Sequence, residues 1–153
     1  MSKKKGIDLS SIDTVKGANE GFDVQIYHPG TNEDLGVTIN ILGKDSDEFL
    51  KVSRAQSKKR MAKMTKGGGF RNVNIPMEEV ERDGLELLAA CTKSWSGVVE
   101  NGKIIDCNKD NAIDLYERYP WIKEQVDTAM GDRANFIKGS LKPSVDMENT
   151  SSL

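Results

Sequence analysis

This sequence is short of the residues that most catalytic, disulfide-bonded and membrane proteins rely on. It has one histidine, two cysteines and 6% aromatics in 153 residues. The single His28 leaves one candidate for any His-dependent triad, and no serine sits in a nucleophile-elbow pattern. Cys91 and Cys107 are too few for a disulfide scaffold and lack metal-ligand spacing, so they read as reduced cytosolic thiols. No run approaches the ~18 consecutive apolar residues of a membrane helix. The basic start Met1–Lys5 is followed only by scattered Ile7, Leu9, Ile12 and Val15, which is not a secretory signal pattern. Charge of one sign is also lacking. Twenty-two basic and 24 acidic residues give a formal net charge of -2, so no global field draws the chain to nucleic acid. What remains, with 37% hydrophobic and 30% charged residues, suits one soluble domain with a buried core.

Hydrophobic periodicity predicts an α+β domain, mainly helical, over residues 21–138. Residues 1–20 mix Gly, Ser, Asp and Lys without period and read as a flexible arm; residues 139–153 read as a disordered tail. Phe22, Val24 and Ile26 alternate with polar neighbours, then Val37, Ile39 and Ile41 do the same, with His28-Pro-Gly-Thr as turn chemistry between them. This predicts an N-terminal β-hairpin over 22–42, with His28 as a surface turn residue. About three main helical segments should follow. The first runs from about Ser46 to Met64, with Asp45 and Glu48 fitting a capping box. Its second half is polar and basic, and could project from the domain. Gly67–Gly69 breaks it, making 65–76 a flexible internal link. The second helix carries the stripe Met77, Val80, Gly84, Leu87, Leu88 and Cys91, with Gly84 read as a close-packing point. Asn101-Gly102 predicts a small second hairpin, because a type I′ turn needs positive φ twice. Asn108 caps the third segment, which Pro120 should kink or split.

Three features approach known chemistry. Gly97 to Lys103 fits seven positions of a phosphate-binding loop, but Ile104 stands where a Mg²⁺-holding Ser or Thr is needed, and the hairpin reading is preferred. The acids Glu78, Glu79, Glu81, Asp83 and Glu86 read, with Arg82, as a solvated helix face. The stretch 51–71 is basic throughout. Lys58, Lys59, Arg60 and Lys63 would form a basic contact ridge able to neutralise phosphates, although no aromatics interleave to stack bases. A solvated or protein-contacting face is the preferred reading, with attraction to an acidic protein left open. No catalytic, cofactor-binding or metal residues are expected, and the chain is not expected to be an enzyme.

Four blocks carry a resemblance. They are Tyr27-His-Pro-Gly-Thr with Leu35-Gly-Val-Thr-Ile and Gly43-Lys-Asp-Ser-Asp; Leu87 to Gly97, with Lys93-Ser-Trp-Ser; Asn111-Ala with Leu115-Tyr-Glu-Arg-Tyr-Pro-Trp-Ile-Lys-Glu-Gln-Val126; and Gly131-Asp-Arg-Ala-Asn-Phe136. In this order they resemble the tail assembly chaperones of long-tailed, siphovirus-type bacteriophages, over roughly Asp23 to Phe136. The resemblance implies a non-enzymatic helper in the cytoplasm of the infected bacterium, absent from the mature virion. It would bind the tape-measure protein, keep it soluble, and promote polymerisation of the tail-tube protein around it. A homo-oligomer is compatible, without heptads to set its number; a membrane is not an expected partner. Trp95, Tyr116, Tyr119, Trp121 and Ile122 are the candidate protein-binding residues, since Trp and Tyr are over-represented at hot spots. For each, ordinary core is the competing reading. Two alternatives stand beside this: a structural tail or head-tail connection protein retained in the virion, and a small nucleic-acid-binding protein using 51–71.

Overall fold

The computed structural model describes residues 6–66 and 75–137. A 3-10 turn, Leu9–Ile12, leads into α1 (Thr14–Glu20), then β1 (Phe22–Tyr27), β2 (Asp34–Ile41), α2 (Asp47–Lys66), α3 (Met77–Ala90) and β3 (Thr92–Ser96). The small strands β4 (Val99–Glu100) and β5 (Lys103–Ile104) precede α4 (Lys109–Arg118), α5 (Pro120–Gly131) and a last 3-10 turn, Arg133–Phe136. The fold is mixed α+β and mainly helical.

The predicted hairpin pairs Phe22 with Ile41 and Val24 with Ile39. It is two-thirds of a sheet: β3 joins β2 antiparallel, setting Trp95 against Ile39. Val24, Ile26, Ile39 and Ile41 point inward and are buried beneath α5, in one core shared with residues of α3 and α4. At the outer edge of β1, the Gln125 side chain of α5 accepts from Tyr27 N–H and donates to Tyr27 C=O, both at 2.9 Å. The second hairpin turns as its sequence requires, with φ of 52° at Asn101 and 76° at Gly102. Asn108 caps α4 by accepting from Asn111 N–H at 2.8 Å. Pro120 splits the third segment, as the first residue of α5.

Several expectations fail for identifiable reasons. Residues 9–20 are not a loose arm. Ala18 is buried, Gly43 N–H donates to Ala18 C=O at 3.0 Å, and α1 lies against the turn holding Phe136. Small residues make that contact, so no apolar period announces it. Asp45 does not cap α2; Arg133 takes its carboxylate, at 2.7 Å, and Ser46 Oγ accepts from Phe49 N–H instead. Gly84 has no close neighbour, since an added Cβ there would meet nothing within 4 Å. Asp83 is not on a solvated face. It is buried, and Arg60 of α2 reaches it at 3.1 Å. The basic half of α2 therefore does not simply project: Gln56 donates to Asp83 C=O, and Lys63 pairs with Glu79. This seam is polar, and no α2 residue is fully buried. Of the 65–76 link, Thr65 and Lys66 finish α2 and Ile75 and Pro76 precede α3; 67–74, which holds Arg71 and the three glycines, lies outside the described residues, as does the tail 139–153.

Candidate functional site

The concave feature richest in sequence-predicted site residues is an open groove of about 440 Å³. One wall is the second hairpin, with Val99 and Ile104. The start of β2 supplies Leu35 and Val37. The α4–α5 junction supplies Tyr119, Trp121 and Ile122. Pro120 builds that third wall: by separating the helices it lets Tyr119 turn out of helical geometry, at φ -122°, while Ile122 faces the core. Tyr119 and Trp121 meet edge to face at 6.2 Å between ring centroids. Leu35, Val99 and Ile104 are exposed, Ile104 by 80%. Isolated exposed apolar side chains are ordinary, but a contiguous set around a concavity marks a contact surface.

The rim is charged and ordered. Arg118 bridges Glu100 of β4 and Asp114 one turn earlier on α4, with N–H donation to Glu100 Oε1 at 3.0 Å and to Asp114 Oδ2 at 2.7 Å. The Tyr119 hydroxyl also donates to Glu100. The Arg118 and Tyr119 hydrogen bonds together hold the Glu100 carboxyl at a pKa of about 2, and the same carboxylate pushes the Tyr119 phenol upward. The guanidinium also lies 5.2 Å from the Tyr119 ring centroid. These contacts fix the hairpin to the helix junction and keep the groove open.

The five predicted contact residues divide. Tyr119, Trp121 and Ile122 line the groove together, with Ile122 only 7% exposed on its floor. Trp95 stands apart from these three. It lies in β3, half-buried, and its indole N–H donates to Ile105 C=O at 2.8 Å, which ties the second hairpin to the sheet. Tyr116 is not a contact residue. It is fully buried, its hydroxyl sharing a 2.7 Å hydrogen bond with Thr92 Oγ1, and burial pushes its phenol up. Of the basic ridge, Arg60 and Lys63 are engaged by α3. Lys58 and Lys59 have no ion pair among the described residues, so the ridge is half of what its spacing suggested.

Sequence reasoning missed Leu35, Val99 and Ile104. Val99 and Ile104 each adjoin an apolar residue, Val98 and Ile105, that turns toward the core, so the sequence does not say which of each pair stays exposed, and only the fold brings them together with Leu35. Elsewhere, His28 Nδ1 accepts from Gly30 and Thr31 N–H in its turn. Burial raises the Cys91 thiol to about 12. Among the described residues, no group of three or more His, Cys, Asp or Glu is placed to hold a metal ion. What this arrangement can do is hold an apolar segment between charged edges. The chain matches no protein-family model, no curated protein and no solved structure.

Proposed function

We propose that this protein is a tail assembly chaperone of the long-tailed phage type, binding the tape-measure protein and the tail-tube protein in the infected cell. One observation carries the reading. Tyr119 and Trp121, from the block that most specifically resembles this family, are half-buried and line an apolar groove, with Ile122 buried at its floor. A tape-measure helix exposes apolar stripes that aggregate unless covered. A groove with an apolar floor and fixed charged edges suits one face of such a helix, met through side chains at i, i+3 or i+4 and i+7. Nothing in that task calls for a catalytic group or cofactor. The nucleic-acid alternative is weakened by the engagement of Arg60 and Lys63 with α3.

The test is affinity capture of the chain from infected cells, with nuclease treatment and mass spectrometry. A very large helical tail protein should be recovered, insensitive to nuclease, and Trp121→Ala should reduce its recovery. Recovery of nucleic acid, or of partners lost with nuclease, would refute the reading. Purified virions provide a second test: copies of this chain by the hundred in each particle would favour the retained structural protein instead.

A further inference from the structure

α2 is a helix of 20 residues whose charge is one-sided. Asp47 and Glu48 stand in its first turn, and from Phe49 to Lys66 it carries seven cations and no acid. The next three helices each balance a surface charge with a partner one turn away: Arg82 with Glu86 on α3, Asp114 with Arg118 on α4, Lys123 with Asp127 on α5. α2 has no such pair among the described residues. Part of its charge has an internal use. Arg60 and Lys63 reach Asp83 and Glu79, Lys59 adds its field at Glu79, and Lys63 and Lys66 complement the helix C-terminus. Lys51, Arg54 and Lys58 have no such use. They are exposed, have no ion pair among the described residues, and repel one another at i, i+3 and i, i+4.

Gln56 and Arg60 reach α3 and mark the inner side of α2. On the opposite side Lys51, Ala55, Lys58, Ala62 and Thr65 follow at spacings of four and three, all exposed. That is the seam spacing of two helices packed along each other, and it runs for about 21 Å. The alanines let a second backbone approach, and the lysines put charge between them. The positive surface continues past Lys51. Lys93 of β3 and Lys109 of α4 join it around a cavity of about 450 Å³, in whose lining Glu48 is the one acid. Neither lysine has an ion pair among the described residues.

We propose that the outer face of α2 binds an acidic α-helix of another protein, laid along Lys51, Ala55, Lys58 and Ala62. Carboxylates stand opposite the lysines and aliphatic side chains opposite the alanines, and the acids supply the counter-charge that α2 lacks. A nucleic-acid backbone also carries negative charge, but it has no use for the alanine positions. The one aromatic of α2, Phe49, packs on the core, so this face offers nothing on which a base could stack. The face shares no residue with the groove, so the inference does not depend on the chaperone reading.

The probe is a labelled helical peptide of about three heptads with Glu and Leu alternating at its seam positions. Fluorescence anisotropy, with the full chain as titrant, should show binding that weakens as salt rises. Lys58→Glu should weaken it about tenfold or more, and a peptide with Lys in place of its Glu should bind that variant better than it binds the parent. Ala55→Gln leaves the charge unchanged but fills the seam, and should weaken peptide binding about threefold or more. Both substitutions are on an exposed helix face, and circular dichroism of each should match the parent. A parent chain that leaves the peptide free up to about 0.5 mM would overturn the proposal. So would a Lys58→Glu chain that binds like the parent. Equal binding of a scrambled peptide, or an Ala55→Gln chain of undiminished affinity, would reduce the face to unspecific charge and overturn the helix. Tighter binding of a DNA duplex than of the peptide would overturn it in favour of a phosphate backbone.

Discussion

Two glycine-to-alanine substitutions should move stability in opposite directions, and the pair tests how α1 is bound into the fold. At Gly17 an added Cβ would stand 1.5 Å from the Phe136 carbonyl oxygen and 2.6 Å from its carbon. Favourable carbon contacts lie near 3.5 Å, so the backbone at Phe136 must withdraw by about 2 Å. That residue cannot withdraw freely. Its ring is 2% exposed and packs edge to face on Phe22, with centroids 5.9 Å apart. Losing a buried Phe typically removes 3–5 kcal/mol, while Ala returns about 1 kcal/mol of helix propensity. Gly17→Ala should therefore destabilise the protein by about 2–4 kcal/mol. At Gly84, where a Cβ meets nothing within 4 Å, only the propensity gain applies, and Gly84→Ala should stabilise by up to about 1 kcal/mol. Urea unfolding followed by fluorescence of Trp95 and Trp121 reads both. With an m-value of about 1–3 kcal/mol/M, the Gly17→Ala midpoint should fall by about 1–2 M and the Gly84→Ala midpoint rise slightly. A Gly17→Ala protein as stable as its parent would refute the packing of α1 against Phe136.

Other outcomes follow from single contacts. Arg60→Ala leaves the Asp83 carboxylate buried without its cation and should cost about 1–3 kcal/mol in chemical denaturation; Arg60→Ala with Asp83→Ala should cost less than the two separate losses added, and simple additivity would deny the pairing. The Arg133 guanidinium holds the Asp45 carboxyl at about 2, below its unfolded value near 3.8. Because the folded value is depressed, this contribution is present above pH 4 and is lost as the pH falls toward 2. The stability-versus-pH slope in that window should flatten in Arg133→Gln, and an unchanged slope would dismiss the pair. Alkylation of the native protein should label the half-buried Cys107 well before Cys91, whose thiol is buried and raised to about 12; equal rates under native conditions would contradict the buried placement.

The parts of the fold legible in the sequence are those that local chemistry decides. Asn101-Gly102 specifies a turn with two positive φ values, Asn108 a cap, and Pro120 a helix boundary. Phe22 to Ile41 alternates because one sheet face is buried. The parts that were not legible depend on distant partners. Thr92–Ser96 has one apolar residue in five, and it becomes a strand because Trp95 finds Ile39. Asp83 is indistinguishable from its acidic neighbours until Arg60 of another helix meets it. Gly17 and Ala18 give no apolar period, yet Ala18 is among the most buried residues. Three of the groove residues were readable as aromatic or apolar groups beside a proline. The other walls come from two hairpins far apart in sequence, and Tyr116 shows that an aromatic on the same helix can belong wholly to the core.

A sheet must stop somewhere, and an open strand edge invites another chain to continue it. At the end of β1 the Gln125 amide takes the place where a fourth strand would begin, offering Tyr27 one acceptor and one donor. A primary amide presents the same pair of groups as a peptide unit, so one helix side chain ends the ladder without lengthening the protein. Glutamate would not serve. Its carboxylate could take the Tyr27 N–H but would oppose the Tyr27 carbonyl, reopening that edge to whatever extended segment lies nearby. At Tyr27, the last residue of β1, the difference between a satisfied edge and an open one rests on a single nitrogen atom.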